Sequence, residues 1–238
     1  MIHNQIKDIT SETPEKGVKK YELISKLDTA SKTLSVNIFV IESGFSANLD
    51  FSRSDTMCYV LEGKGLCKIE QLRAYWEYIL SNDVAMWIPP MSPLIIKNTG
   101  DNPMRCIFFS TEISSKENIS DTLEQYMISS VNRWECPKEK FVYHYQHTLF
   151  SPRKEAKKLY FGAYHTIYPK GFLPRHVENL NCEETMYVTR GKGKITSGDN
   201  KYEVNPGSIV YVPSRTYHSL ENYSSDDYME IVLYESYP

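Results

Sequence analysis

Residues 58–70, CYVLEGKGLCKIE, and residues 186–198, MYVTRGKGKITSG, are two copies of one pattern in this 238-residue chain. Each copy contains Tyr-Val, two further residues and Gly-Lys-Gly, and the two copies lie 128 positions apart. A pattern of this kind is the first sign of an internal repeat, and a repeat changes how the rest of the chain is interpreted.

A second pair of segments follows the first pair in the same order. DVAMWIPPMSPLIIKN, at residues 83–98, aligns with GSIVYVPSRTYHSLEN, at residues 207–222, with an offset of 124 positions. The alignment matches one proline and the final asparagine. Two matches at nearly the same offset indicate that the chain duplicates one domain.

Both copies are typical of β structure. Short runs of aromatic and β-branched residues alternate with turn residues at intervals of roughly 8–12 positions, which predicts an all-β sandwich or barrel. Between the copies, apolar residues at helical spacing predict a connecting helix near 116–133. We therefore expect an N-terminal barrel at 1–115, a linker with the helix at 116–150 and a C-terminal barrel at 151–238.

The composition limits the classes of partner. The chain has 27 basic and 30 acidic side chains, so it has no electrostatic footprint for nucleic acid and no polybasic membrane patch. No apolar run approaches the roughly 18 residues that a membrane-spanning helix needs. The five cysteines form no close pair and are odd in number, which favours a reducing compartment. We expect a cytoplasmic protein that acts on a small molecule and has no nucleic-acid or membrane partner.

Histidines and carboxylates are concentrated around the glycine turn of the second copy. His176 and Glu178 are two positions apart, so in an extended segment they point to the same side. Glu184 opens the next predicted strand, and His218 follows the next hairpin. Three segments of one small barrel would thus direct imidazoles and carboxylates to a common interior face.

This arrangement resembles the cupin superfamily. Its first motif is matched by Gly171, His176, Glu184 and Gly191, and its second motif is matched at full spacing by Gly207, Pro213, His218 and Asn222. The resemblance implies two tandem double-stranded β-helix (jelly-roll) barrels, a bicupin, and it allows a homodimer because such barrels commonly pair through edge strands.

The chain departs from the family pattern at several positions. Glu178 stands where the motif usually has a second histidine, and Arg215 stands at the inner glycine of the second motif. Glu183 is a rival for the carboxylate position, although strand alternation predicts that only one of Glu183 and Glu184 faces inward.

The first copy lacks the same chemistry. Thr56, Asp83 and Leu94 stand at the positions of the second copy's glutamate, glycine and histidine, and no histidine occurs between His3 and His144. We expect a degenerate N-terminal barrel without a metal site.

For the C-terminal barrel, the resemblance implies a metal held by His176, Glu178, Glu184 and His218. Two imidazoles with carboxylates suit a divalent first-row ion, namely Mn, Fe, Ni or Zn, with Mn or Fe preferred. Glu178 is either the fourth ligand or a free carboxylate placed to move a proton. The alternative is that His176 and His218 are ordinary strand-end histidines.

The segment 159–169 supplies further candidates. Alternation puts Tyr160, Tyr164, Thr166 and Tyr168 on one face and Phe161, Ala163, His165 and Ile167 on the other. One face must look into the barrel, but the sequence does not say which. Tyr164 and His165 are therefore both candidate catalytic residues, together with Glu178.

The leading functional hypothesis is a metal-dependent enzyme acting on a small oxygen-rich metabolite by Lewis-acid or proton-transfer chemistry, as a lyase, isomerase or hydrolase. A ureidoglycine aminohydrolase-like enzyme, an iron-dependent dioxygenase and a non-catalytic metabolite-binding bicupin are the alternatives.

Overall fold

Two β-barrels make up the protein. The computed structural model describes residues 1–71, 74–114, 129–151, 158–174 and 181–237. Each barrel combines a seven-stranded and a four-stranded sheet, and neighbouring strands run antiparallel. The predicted all-β fold with two tandem jelly-roll barrels is confirmed.

The N-terminal barrel is formed by strands from residue 12 to residue 132. They are β2 (Glu12–Glu15), β3 (Val18–Ile24), β4 (Leu34–Ile41), β5 (Ser46–Leu49), β6 (Ser54–Glu62), β7 (Lys64–Gln71), β8 (Ala74–Ser81), β9 (Val84–Ile88), β10 (Leu94–Asn98), β11 (Met104–Glu112) and β12 (Ser129–Asn132). The large sheet has the order β12-β9-β6-β11-β4-β3-β2 and the small sheet has the order β5-β10-β7-β8.

The C-terminal barrel has the same plan. Its strands are β13 (Lys138–Lys140), β14 (His144–Phe150), β15 (Leu159–Ile167), β16 (Phe172–Leu173), β17 (Glu183–Arg190), β18 (Gly193–Ser197), β19 (Asn200–Val204), β20 (Ser208–Val212), β21 (Ser219–Asn222) and β22 (Met229–Ser236). The first strand of the chain, β1 (Ile2–Gln5), completes the large sheet, whose order is β1-β20-β17-β22-β15-β14-β13. The small sheet has the order β16-β21-β18-β19.

Helical structure in the described part of the chain is short. Three 3₁₀ turns occur at Ile6–Asp8, Lys26–Asp28 and Arg133–Glu135. Among the described residues, none of the helices is long and apolar enough to cross a bilayer.

Strand pairing connects parts of the chain that lie far apart in the sequence. Strand β1 belongs to the C-terminal barrel, where Ile2 pairs with Tyr211. Residues 129–132, the end of the predicted helix, form strand β12, whose Val131 pairs with Ala85 of the N-terminal barrel. The rest of that helix lies outside the described residues. Strands β13 and β14 belong to the C-terminal barrel, which therefore begins well before residue 151.

The strands of the repeated segment are buried on both faces of the sheet, which explains why their sequences are continuous apolar runs. On β6, Cys58 and Val60 face the interior of the N-terminal barrel, whereas Met57 and Tyr59 face the C-terminal barrel. The large sheets of the two barrels pack on each other through this second set of side chains. Tyr59 stacks on Tyr164, with ring centroids 5.7 Å apart.

The repeated glycine turn has a steric cause. Gly63 and Gly191, the first glycines of the two Gly-Lys-Gly turns, have φ values of +99° and +81°, which L side chains rarely adopt. A Cβ at Gly191 would also lie 2.5 Å from the carbonyl oxygen of Tyr228. The turn therefore requires glycine in both copies.

The matched asparagine is likewise structural. Asn222 Nδ2 donates to the carbonyl oxygens of Ile167, Tyr168 and Asp227 at 2.9–3.2 Å. Asn98 makes equivalent bonds in the N-terminal barrel. The asparagine joins loops at one end of each barrel.

Candidate metal centre

The C-terminal barrel contains a cavity of about 630 Å³. The histidines and glutamates in its lining are Glu139, His144, His165, Glu184, His218 and Glu235. Its apolar lining includes Phe161, Leu173, Met186, Leu220 and Leu233. A largely apolar pocket of this size with a few convergent polar groups is typical of a small-molecule site.

Glu184 and His218 meet on the wall of this cavity. Glu184 is the second residue of β17, and His218 directly precedes β21. Glu184 Oε1 lies 3.2 Å from His218 Nε2, and the two side chains are only 12% and 8% exposed. His218 Nδ1 lies 3.1 Å from the carbonyl oxygen of Thr216, and a proton held there leaves Nε2 as the ligand atom.

The pair is electrostatically coupled. Burial on its own lowers the pKa of His218, but the Glu184 carboxylate and the Thr216 carbonyl outweigh burial and raise that pKa to about 9. The negative Glu235 nearby acts in the same direction. The pair therefore favours a positive charge between its two atoms, which a proton or a metal cation can supply.

Strand direction separates Glu184 from its neighbour. Glu183 points to the junction of the two barrels, where its Oε1 accepts hydrogen bonds from Tyr211 Oη of its own barrel at 2.7 Å and from Ser31 N of the other barrel at 2.9 Å. Its Oε2 accepts a third bond from Ser31 Oγ at 2.6 Å. Glu183 thus joins the two barrels, and Glu184 is the carboxylate that faces the cavity.

The other two predicted ligands, His176 and Glu178, lie in residues 175–180, outside the described residues. Within the described ranges, no group of three or more histidine, cysteine, aspartate or glutamate side chains is arranged to hold a metal. Glu184 and His218 are two donors that are compatible with a metal ion.

Strand β15 turns one of its two candidate residues toward the cavity. His165 lines the cavity, and its ring lies 5.5 Å from that of His144. Tyr164 points the opposite way, and its hydroxyl donates to Glu230 Oε2 at 2.9 Å. The guanidinium of Arg133 lies 3.9 Å from the centroid of the Tyr164 ring. Tyr164 is not among the residues that line the cavity, so the structure gives no support to the catalytic role expected of it.

Sequence reasoning missed Glu235 and His144. Glu235 pairs with Glu184 across β22 and β17, so both carboxylates stand on the same face of the sheet. His144 lies on β14, in the segment assigned to the linker, and its ring stacks on Phe141 with centroids 4.6 Å apart. Ser110 pairs with Thr56 in the same way, so this pairing is common to both barrels, but no sequence motif marked it.

The counterparts of Glu184, Glu235 and His218 in the N-terminal barrel are Thr56, Ser110 and Leu94, none of which is a metal-binding imidazole or carboxylate. Thr56 Oγ1 donates to Ser110 Oγ at 3.0 Å inside that barrel, where the other barrel has two glutamates. Leu94, at the position of His218, is buried in the apolar interior.

Arg215, the departure from the second motif, keeps the turn that the motif requires. Its φ is +60°, in the left-handed region that favours glycine. Met91, at the equivalent position of the first copy, has a φ of +59°. Both barrels therefore make the same turn with a residue other than glycine.

His147, opposite Tyr164 on β14, leads to a prediction on acid stability. Burial, then Lys138 and Arg133, lower the pKa of this imidazole below 6.5, while the carbonyls of Cys136 and Arg133 oppose them. Since the folded pKa lies below the unfolded one, stability is present above about pH 6.5 and is lost as the pH falls toward the folded pKa. We expect urea unfolding midpoints to fall between about pH 7 and pH 5, and to fall less in His147→Gln. An equal fall in both proteins would contradict this assignment.

Comparisons with known proteins agree with this architecture. Residues 163–234 match the family model described as the cupin domain. A 56-residue segment is 34% identical to an uncharacterized protein of Methanocaldococcus jannaschii, and it covers 24% of this chain and 45% of that protein. The match thus spans less than half the length of this curated relative.

Solved structures match over nearly the whole chain. Vicilin from hazelnut, Corylus avellana, superposes with a TM-score of 0.77 at 10% identity, covering 98% of this chain and 84% of vicilin. A mutant of Bacillus subtilis oxalate decarboxylase also gives 0.77, at 14% identity over 100% of this chain and 77% of the enzyme. Another structure of that enzyme concerns its Mn(II) centres. At these identities the likeness establishes the fold alone.

Proposed function

We propose a metal-dependent enzymatic function for this chain, which is a two-barrel protein of the cupin superfamily. The reaction would take place in the C-terminal barrel, on a small metabolite that carries carboxylate or carbonyl oxygens. The contact between Glu184 Oε1 and His218 Nε2 on the wall of the cavity is the observation that carries this proposal.

The donor set fits a divalent first-row ion. An imidazole nitrogen and a carboxylate oxygen already lie together, and His176 and Glu178 are proposed to complete the set. Mn or Fe is the preferred ion, with Ni and Zn as alternatives. When bound, the ion would supply Lewis-acid polarisation of a substrate oxygen.

The chain's own residues would bind the substrate and move its protons. Glu235 and His165 line the same cavity as Glu184 and His218, so either can reach a molecule held there. Apolar side chains such as Leu233 and Met186 exclude water from one side of the cavity, which strengthens electrostatic interactions with the substrate. We assign proton transfer to Glu235, because it stands beside Glu184 on the neighbouring strand.

Two comparisons support this proposal. Oxalate decarboxylase shares the two-barrel fold with this chain, and its name gives a small dicarboxylate as substrate. The Mn(II) centres described for that enzyme support a manganese ion here.

The test combines metal analysis with turnover. The protein is purified without chelator, its metals are measured by mass spectrometry, and it is incubated with oxalate, 2-oxo acids and ureides. Release of CO2, release of ammonia and consumption of O2 are followed. Metal with turnover but without O2 consumption supports the proposal, and metal-free protein contradicts it. Consumption of O2 would indicate a dioxygenase. Release of ammonia from a ureide would indicate an aminohydrolase, and bound metal without turnover would indicate a binding protein.

Glu235→Gln separates proton transfer from metal binding. We expect this variant to keep its metal and to lose turnover by about 10²–10⁴-fold, since a positioned acid or base contributes that much. The measurement is kcat together with metal content. The variant Glu139→Gln serves as the control and should retain most of the activity. Glu139 also lines the cavity, but it lies on the exposed strand β13. Loss of metal in Glu235→Gln would instead make Glu235 a ligand.

A cytosolic location is also proposed. All five cysteines are free thiols and all are buried, which agrees with a reducing compartment.

A further inference from the structure

The N-terminal barrel has a cavity of its own, with a volume of about 610 Å³. The small hydroxyl and amide side chains at its buried end are Ser35, Asn37, Ser54 and Ser110. Its size is close to that of the cavity in the C-terminal barrel. The N-terminal barrel therefore contains an open cavity, although Thr56 and Leu94 replace the metal-site residues of the other barrel.

Strand alternation directs the polar groups into the cavity. On β4, Ser35, Asn37 and Phe39 share one face, and Phe39 belongs to the interior core of the N-terminal barrel. Ser110 on β11 pairs with Ser35 and accepts a hydrogen bond from Thr56 Oγ1 at 3.0 Å. The buried end of the cavity is thus a built polar surface within an otherwise apolar core.

Asn37 presents a buried acceptor to which a ligand can bind. Its side chain is only 8% exposed, and its Oδ1 accepts no hydrogen bond from any residue that the structure describes. A buried acceptor without a partner is costly, so in native proteins such atoms are satisfied by a ligand or by ordered water. The missing partner must be an O–H or N–H donor, which a dicarboxylate anion does not have.

The charges around the opening also disfavour an anion. Lys26 forms an ion pair with Glu112, and Lys20 lies 3.7 Å from Glu12. Glu15 accepts two hydrogen bonds from Asn48, at 2.8 and 2.7 Å, and so joins the β2 hairpin to β5. The lysines at the opening are thus already neutralised by carboxylates.

Aromatic rings complete the lining. Phe39 and Phe51 both face the cavity, and Phe51 stacks on Phe108 with centroids 5.1 Å apart. Flat apolar rings beside hydroxyl and amide groups suit a ligand that has both C–H faces and hydroxyl groups.

We propose that the N-terminal barrel binds a small neutral polyhydroxylated metabolite, of the size of a monosaccharide or cyclitol, with a ligand hydroxyl donating to Asn37 Oδ1. The site needs neither a metal nor the chemistry of the C-terminal barrel.

The experiment is saturation-transfer NMR on the full chain with three probes: D-glucose, myo-inositol and oxalate. We expect at least one of the two neutral probes to bind, with a dissociation constant below about 10 mM. Asn37→Leu should abolish that signal or weaken binding by at least about 10-fold. It should still fold, because replacing an unpartnered buried acceptor by an apolar group of similar size is nearly neutral.

Two further variants keep the result interpretable. Ser35→Val narrows the same cavity and should also weaken binding. His218→Ala, in the other barrel, should leave binding of the neutral probe unchanged. The test of this inference is therefore independent of the test of the enzymatic proposal. The inference is overturned if neither neutral probe binds, which would mean that water alone fills the cavity. It is also overturned if Asn37→Leu binds as well as wild type, or if His218→Ala removes the signal.

Discussion

His218→Ala is expected to reduce the transition metal in the purified protein from about one equivalent per chain to less than about a tenth. His218 Nε2 and Glu184 Oε1 are the two donors that lie together in the cavity, at 3.2 Å. Removal of the imidazole leaves the carboxylate without its neighbour and takes away one ligand bond. Metal content is measured by mass spectrometry after gel filtration.

The internal repeat supplies the matched control. Leu94→Ala changes the equivalent position of the N-terminal barrel, where the side chain is buried in a hydrophobic cluster. This variant should keep its metal, even though it loses stability through the cavity it creates. Equal metal in His218→Ala and wild type would remove His218 from the site, and loss of metal in Leu94→Ala would show that the assay reports stability instead.

Glu183→Ala is expected to lower the free energy of unfolding by about 3 kcal/mol, although its neighbour Glu184 is the residue assigned to chemistry. The Glu183 carboxylate is 1% exposed and accepts three hydrogen bonds, from Tyr211 Oη, Ser31 N and Ser31 Oγ. Truncation leaves these donors buried at the junction of the barrels. Urea unfolding and calorimetry measure the loss, which corresponds to a fall of about 6–12 °C in Tm for a chain of this size.

The control for this prediction is the adjacent carboxylate. Glu184→Ala should cost less than Glu183→Ala, because it breaks a single contact, with His218, whereas Glu183 accepts three hydrogen bonds at the junction of the barrels. A comparable loss in both variants would contradict the assignment. Asp55, which occupies the position of Glu183 in the first copy, accepts a bond from the backbone N–H of Lys158. Asp55→Ala should therefore also destabilise the protein.

Much of this protein's architecture could be predicted from the repeat and its motifs. Gly63 and Gly191 have positive φ and would clash if substituted, so the steric demand of the turn is written in the sequence twice. Duplication and β class could both be predicted from such local signals. Glu184 and His218 could be predicted too, because their spacing from the turns sets their places on β17 and before β21.

For strands that are buried on both sides, the sequence could not predict which side chains point into the barrel. Alternation states that Glu183 and Glu184, or Tyr164 and His165, point in opposite directions. It does not state which direction is the barrel interior, since both sides of the large sheets are apolar. Only the packing of one barrel on the other turned Glu183 and Tyr164 toward the junction.

Strand partners were likewise decided by the tertiary structure. Strand β1 joins the C-terminal barrel across some 200 residues, and β12 returns to the first barrel from the segment predicted as a helix. Glu235 comes beside Glu184 only because β22 lies next to β17 in the sheet. The sequence by itself determined the repeated turns and strands and the positions of Glu184 and His218 beside them, because those depend on local spacing. Pairing and facing depend on contacts between distant segments, which no local pattern contains.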